Sequence, residues 1–113
     1  MEIENINQGD LLVVCPRGLL AGAEAESLRT RLSELAGNGK TEVVVDCSKL
    51  RFVDSRGLEV LMEAAEHFIR AGRTLKLTGV KPTLREVLEL TELSSLFEFQ
   101  VDLTEAQPLE ARG

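Results

Sequence analysis

Residues 43–58 read VVVDCSKLRFVDSRGL, and two signals inside that stretch decide the fold. Val43, Val44 and Val45 form an unbroken β-branched run that closes on Asp46, the pattern of a central strand buried on both faces. Phe52 and Val53 then carry a strand into Asp54 and Ser55, and Gly57 permits a tight backbone. A helical period begins at once, with Leu58, Leu61, Met62, Ala65, Phe68 and Ile69 on one side and Gly72 as its stop.

The flanking sequence repeats the alternation. Upstream, Ile3 and Ile6 among polar neighbours, the Gly9-Asp10 turn and the apolar run Leu11 to Cys15 predict an opening hairpin. Pro16 and Gly18 should interrupt it, with Leu19 and Leu20 as a short further strand. From Ala23 the period is helical, with Ala25, Leu28, Leu32 and Leu35 on one face and Gly37 and Gly39 ending the helix. Downstream, Leu75 and Leu77 alternate with Lys76 and Thr78 as a strand, and Gly79 turns. Pro82 suits the first turn of a third helix that carries Leu84, Val87 and Leu88 inward. Phe97, Phe99 and Val101 alternate as a last strand. Repeated strand–helix alternation argues for an α/β fold. Right-handed crossovers make its sheet mostly parallel from Val43 onward, with antiparallel pairing at the opening hairpin.

With 113 residues there is room for one domain, expected over residues 1–107, with a frayed tail over 108–113. The 43% hydrophobic content supplies a core without a disulfide or metal staple. Thirteen Lys plus Arg against 19 Asp plus Glu give a net charge of -6, which repels phosphate backbones and anionic headgroups. With four Phe and no Trp or Tyr, there is also little to stack on a nucleobase. Neither nucleic acid nor a membrane surface is an expected partner. The start of the chain lacks a basic-then-apolar leader, and no apolar run approaches the ~20 residues of a membrane span. A cytoplasmic chain is expected. Cys15 and Cys47 each end an apolar run and read as buried thiols, with a disulfide left open if the runs are sheet neighbours. His67, beside Glu63 and Glu66, reads as solvated.

The loop at 52–58 is where chemistry is expected, because in open α/β sheets sites lie beyond the carboxyl ends of strands. Free amides and the dipole at a helix N-terminus favour negative charge, so a phosphate on Ser55 would be accommodated without dedicated basic residues. Such a phosphate adds about -1.5 to -2 charge and can abolish an apolar contact. The structural counterpart is simpler: Asp or Ser before a helix is an ordinary N-cap. Lys49 and Arg51 flank Leu50 at the border of this loop, where they would attract an acidic partner or ATP phosphates, or be plain solvated charge.

Val45 and Asp46, then Phe52, Val53, Asp54, Ser55, Arg56, Gly57 and Leu58, followed by Val60 and Leu61, resemble the signature of the STAS domain, specifically of bacterial anti-sigma factor antagonists. The resemblance covers nearly the whole chain. It implies a STAS-like mixed sheet with helices packed mainly on one face. It also implies partner switching in transcription regulation. In that scheme the serine matching Ser55 is phosphorylated by an anti-sigma factor that is itself an ATP-dependent serine kinase. The unphosphorylated domain binds that kinase and frees a sigma factor, and a serine phosphatase restores it. With Lys49 and Arg51 at its border, the expected partner surface comprises Asp46, Lys49, Arg51, Asp54, Ser55, Arg56, Gly57 and Leu58; no cofactor, metal or catalytic residue is expected. Two positions depart from the family's pattern. Many relatives have Ser or Thr at Arg56, and many carry an Asp shortly after the early glycine, where this chain has Leu20 and Ala21.

Two other readings compete. One keeps the fold without the switch, as an interaction subunit of a signalling scaffold or transporter complex in which Ser55 only caps a helix. The other is a phosphotransfer receiver or small α/β enzyme using Asp46 or Asp54. A receiver needs an acidic pair after its first strand to hold Mg²⁺, and the first apolar strand here ends Cys15, Pro16, Arg17, Gly18. A nucleophilic Ser55 would lack a base, since His67 lies about three turns further along the helix.

Overall fold

A computed structural model describes residues 1–37 and 41–100. The elements are β1 (Glu2–Gln8), β2 (Leu11–Leu20), α1 (Ala25–Gly37), β3 (Glu42–Asp46), β4 (Leu50–Val53), α2 (Ser55–Arg70), β5 (Lys76–Thr78), α3 (Pro82–Leu90) and β6 (Glu98–Gln100). The sheet order is β1-β2-β3-β5-β6, with β4 paired to β2. Among the described residues only the β1–β2 hairpin is antiparallel; the other pairings are parallel, as the strand–helix–strand alternation predicts. Gly39, Val101 and the tail lie outside the described residues.

β2 changes neighbours part-way along. Leu11–Val14 pair with β3, whereas Gly18–Leu20 pair with β4 across an irregularity between Gly18 and Leu19. Pro16 falls between these two stretches, where no parallel neighbour calls for its missing N–H. The expected break is therefore absent, and one ten-residue strand runs through to Leu20. That continuity brings the end of β2 alongside β4 and the start of α2.

The valine strand is buried on both faces, as its composition requires. Leu12, Val14, Val43, Val45 and Leu77 face one continuous core with Leu28 and Leu32 of α1, Leu61 and Phe68 of α2, and Leu88 of α3. Val13, Cys15 and Val44 alternate to the opposite side and stand outside that core. There Ile6 pairs with Val13 and Lys76 with Val44, and Lys76 is salt-bridged to Glu42 and Glu98. Its aliphatic stem thus lies beside Val44 while its charge is neutralised at the rim.

Several side chains point elsewhere than periodicity alone suggests. The buried stripe of α2 is Gly57, Val60, Leu61, Ala64, Ala65 and Phe68, and Ile69 is 47% exposed. The stripe is rotated because Gly57, not Leu58, makes the closest approach to the sheet. On α3 only Leu88 is buried, Leu84 is half-buried and Val87 is 37% exposed. α1 begins at Ala25 after a 3₁₀ turn over Gly22–Glu24. His67 is half-buried between helices, its Nδ1 3.4 Å from Ser33 Oγ of α1, rather than solvated. Both cysteines are free and buried, so no disulfide joins them.

Candidate functional site

The site forms where β2 and β4 end and α2 begins. Asp54 is the N-cap of α2: it is extended, at φ -97 and ψ -173, and its Oδ1 accepts from Gly57 N–H at 2.8 Å. Its Oδ2 accepts from Gly22 N–H at 3.1 Å, and its own N–H donates to the Leu20 carbonyl at 3.2 Å. One side chain therefore ties the β2–α1 turn to the head of α2. A Cβ on Gly57 would come within 2.1 Å of the Leu20 carbonyl oxygen, so only glycine allows α2 to start this close to β2.

Ser55 is the first helical residue and is exposed. Because Asp54 does the capping, the Ser55 hydroxyl is not needed for it. Gly57 N–H is taken by Asp54 Oδ1 and Leu58 N–H by the Asp54 carbonyl, so the Ser55 and Arg56 N–H groups have no acceptor within the helix, and the helix dipole adds positive potential there. This is a surface that tolerates an added anion.

Arg56 is half-buried and held on the α1 side. Its Nη2 donates to both carboxylate oxygens of Glu26 at 2.8 Å, and its Nη1 to Glu59 Oε1 at 3.2 Å. These partners push the Arg56 pKa up, and the hydrogen bond from Arg56 holds the Glu26 carboxyl below its usual value. The one cation adjacent to Ser55 is thus already paired in this state.

The remaining expected residues divide. Leu58 is half-buried and packs against the core edge, and Arg51 is exposed on β4. Lys49 is exposed in the turn before β4, where its carbonyl accepts from Gly18 N–H at 3.1 Å. Asp46 ends β3, and its Oδ1 accepts from Ser48 N–H at 2.9 Å, a side-chain turn that shapes the β3–β4 connection. A Cβ on Gly79 would sit 2.7 Å from that same oxygen, and its φ of +63 also favours glycine. Asp46 therefore shapes the β3–β4 loop through its own side-chain turn. Gly22 and Glu26 belong to the site's surroundings and carry no local sequence signal for it, because each reaches it across the fold.

Among the described residues no group of His, Cys, Asp and Glu is arranged to hold a metal, and no helix is long and apolar enough to cross a membrane.

This geometry, a mixed sheet with a capped Asp-Ser-x-Gly-Leu helix start at its carboxyl edge, defines a small α/β binding domain. The STAS domain family model matches residues 2–107, and the chain belongs to that family. It is 32% identical over 87 residues, 77% of this chain and 75% of the relative, to BtrV of Bordetella bronchiseptica, described as a candidate anti-sigma factor antagonist. An anti-sigma factor antagonist from Mycobacterium paratuberculosis superposes with a TM-score of 0.78 at 20% identity, covering 96% of this chain and 92% of that one. The Bacillus cell fate determinant SpoIIAA in its phosphorylated form gives 0.72 at 18% identity, covering 97% and 99%.

Proposed function

We propose that this chain is an anti-sigma factor antagonist, a single regulatory binding domain over residues 1–107 that acts in the cytoplasm and catalyses no reaction itself. In its unphosphorylated form it binds an anti-sigma factor with ATP-dependent serine kinase activity and releases a sigma factor. Phosphorylation of Ser55 ends that contact, and a serine phosphatase restores it. The contact centres on Asp54, Ser55, Arg56, Gly57 and Leu58, with Asp46, Lys49 and Arg51 at its border.

The observation that carries this reading is the division of labour at the head of α2. Asp54 caps the helix and Ser55 is left exposed at the first helical position. A phosphate there gains the helix dipole but brings about -1.5 to -2 charge next to Asp54, with Arg56 already occupied by Glu26 and Glu59. Desolvating that charge in a protein–protein contact is costly, which makes the modification an off-switch. Intact mass after incubation with the kinase and ATP should rise by one phosphate, and Ser55→Ala should not. Ser55→Asp should bind the anti-sigma factor more weakly than Ser55→Ala; equal affinities by calorimetry would contradict the mechanism.

A further inference from the structure

A groove of about 230 Å³ opens between β4, the start of α2 and α3, next to Ser55 but separate from the capping network. Phe52, Val53, Leu58, Leu84 and Val87 give it apolar walls. Phe52 is 55% exposed on β4, and Val87, also exposed, lines the same groove from α3. Exposed apolar side chains from two elements gathered along one groove are the kind of surface that marks an interaction site.

The charge around the groove is opposite to that of the molecule. The chain carries -6 overall, yet no carboxylate lines the groove, whereas Arg51 and Lys81 do. Arg51 has no carboxylate partner among the described residues, and Lys81 spends one N–H on the Leu50 carbonyl at 3.0 Å. An occupant with carboxylates beside an apolar side chain is the chemical complement. The volume lies below the roughly 300–1,000 Å³ of pockets that enclose a drug-sized ligand, and suits one or two large side chains of a protein segment.

We propose that this groove is an anchor for the anti-sigma factor: an apolar side chain of that partner, flanked by carboxylates, seats between Phe52 and Val87 while the carboxylates meet Arg51 and Lys81. The proposal rests on the antagonist reading and adds to it a contact that does not itself change on phosphorylation. Val53 and Leu58 flank Ser55 in the chain and also line the groove, so one partner surface spans both. The anchor supplies apolar contact and selects the partner by charge; Ser55 reports the phosphorylation state.

The test is calorimetry of the full chain with its cognate anti-sigma factor at low and high salt. Phe52→Ala should weaken binding about tenfold or more, as loss of a central aromatic anchor does. Arg51→Glu should weaken it as well and flatten its salt dependence. Both side chains are exposed, so both variants should keep wild-type circular dichroism. Leu90→Ala, which removes the most exposed apolar side chain of α3 outside the groove, should bind like wild type. Wild-type affinity in both groove variants, with Ser55→Asp still weakened, overturns the anchor and leaves the antagonist reading intact. A wild-type chain that does not bind the anti-sigma factor overturns both. Self-association lost in Phe52→Ala, or ATP binding lost in Arg51→Glu, would assign the groove to a second copy or to a nucleotide and likewise overturn the anchor.

Discussion

Arg56 Nη2 lies 2.8 Å from each carboxylate oxygen of Glu26, so the second residue of α2 is bolted to the first turn of α1. Together with the Asp54 bridge to Gly22, this pair fixes the β2–α1 connection against the head of α2. A large cation beside Ser55 is therefore part of the scaffold in the unphosphorylated state.

The pair makes a pH prediction. Glu26 in the folded chain has a pKa held below the ordinary 4.5, first by the Arg56 hydrogen bond. A depressed carboxylate contributes stability that is fully present above its unfolded pKa and is lost as pH falls through the folded one. Glu26→Gln should therefore lose less urea stability than wild type on acidification from 4.5 downward. Both side chains are partly solvent-exposed, so the difference should be small and should shrink further in high salt. Identical acid profiles in the two proteins would refute the coupling.

Gly57→Ala should destabilise the fold. In an open helix the change would gain up to about 1 kcal/mol, but here the new Cβ meets the Leu20 carbonyl at 2.1 Å and the Val53 side chain at 2.9 Å. Overpacking against backbone costs about 1–3 kcal/mol or more, so the sign reverses. Gly37→Ala, in α1 with open space around it, is the control and should be neutral or mildly stabilising. Urea midpoints of the two variants moving in the same direction would refute the close-approach argument.

Substitutions at Asp54 should rank by the bonds they spare. Asp54→Ala loses both acceptors, to Gly57 and Gly22, and should cost about 1–2 kcal/mol or somewhat more. Asp54→Asn keeps one acceptor for Gly57 but turns an amide N–H toward the Gly22 N–H, so it should fall between alanine and wild type. Asparagine matching wild type in chemical denaturation would mean that the Gly22 bridge contributes nothing.

Neither thiol should react while the chain is folded. Burial is the main cause that pushes Cys47 up to about 12, with Asp46 adding to it, and burial also raises Cys15. Near about pH 8 the thiolate fraction of Cys47 is then about a thousandfold below that of an ordinary thiol of pKa 9.0. Ellman's reagent should label two thiols in denaturant and none in the native protein. Fast native labelling of Cys47 would show that the β3–β4 region opens readily.

How much of this was legible depended on how local each signal is. The valine strand, a cap at Asp54 or Ser55, the proline start of α3 and the Gly72 stop after α2 are written in a few adjacent residues. Each follows from backbone chemistry or side-chain period within one element. Periodicity places the inward face of α2 about one residue out of phase with the buried stripe, because several apolar residues ring that helix. Periodicity gives a stripe, but Gly57 against Leu20 decides which edge of it touches the sheet.

By itself, then, the sequence determined the alternation of strand and helix, an Asp-Ser helix start at α2 and the excess of negative charge. The tertiary structure alone decided that β2 passes Pro16 unbroken by changing neighbours from β3 to β4. It also decided that Glu26 reaches Arg56 and that Phe52 and Val87 line one groove with Arg51 and Lys81. Those pairings join residues some 30 positions apart, and the physical reason is sheet order: once β4 lies beside the end of β2, the connection into α1, the head of α2 and α3 are brought around one corner.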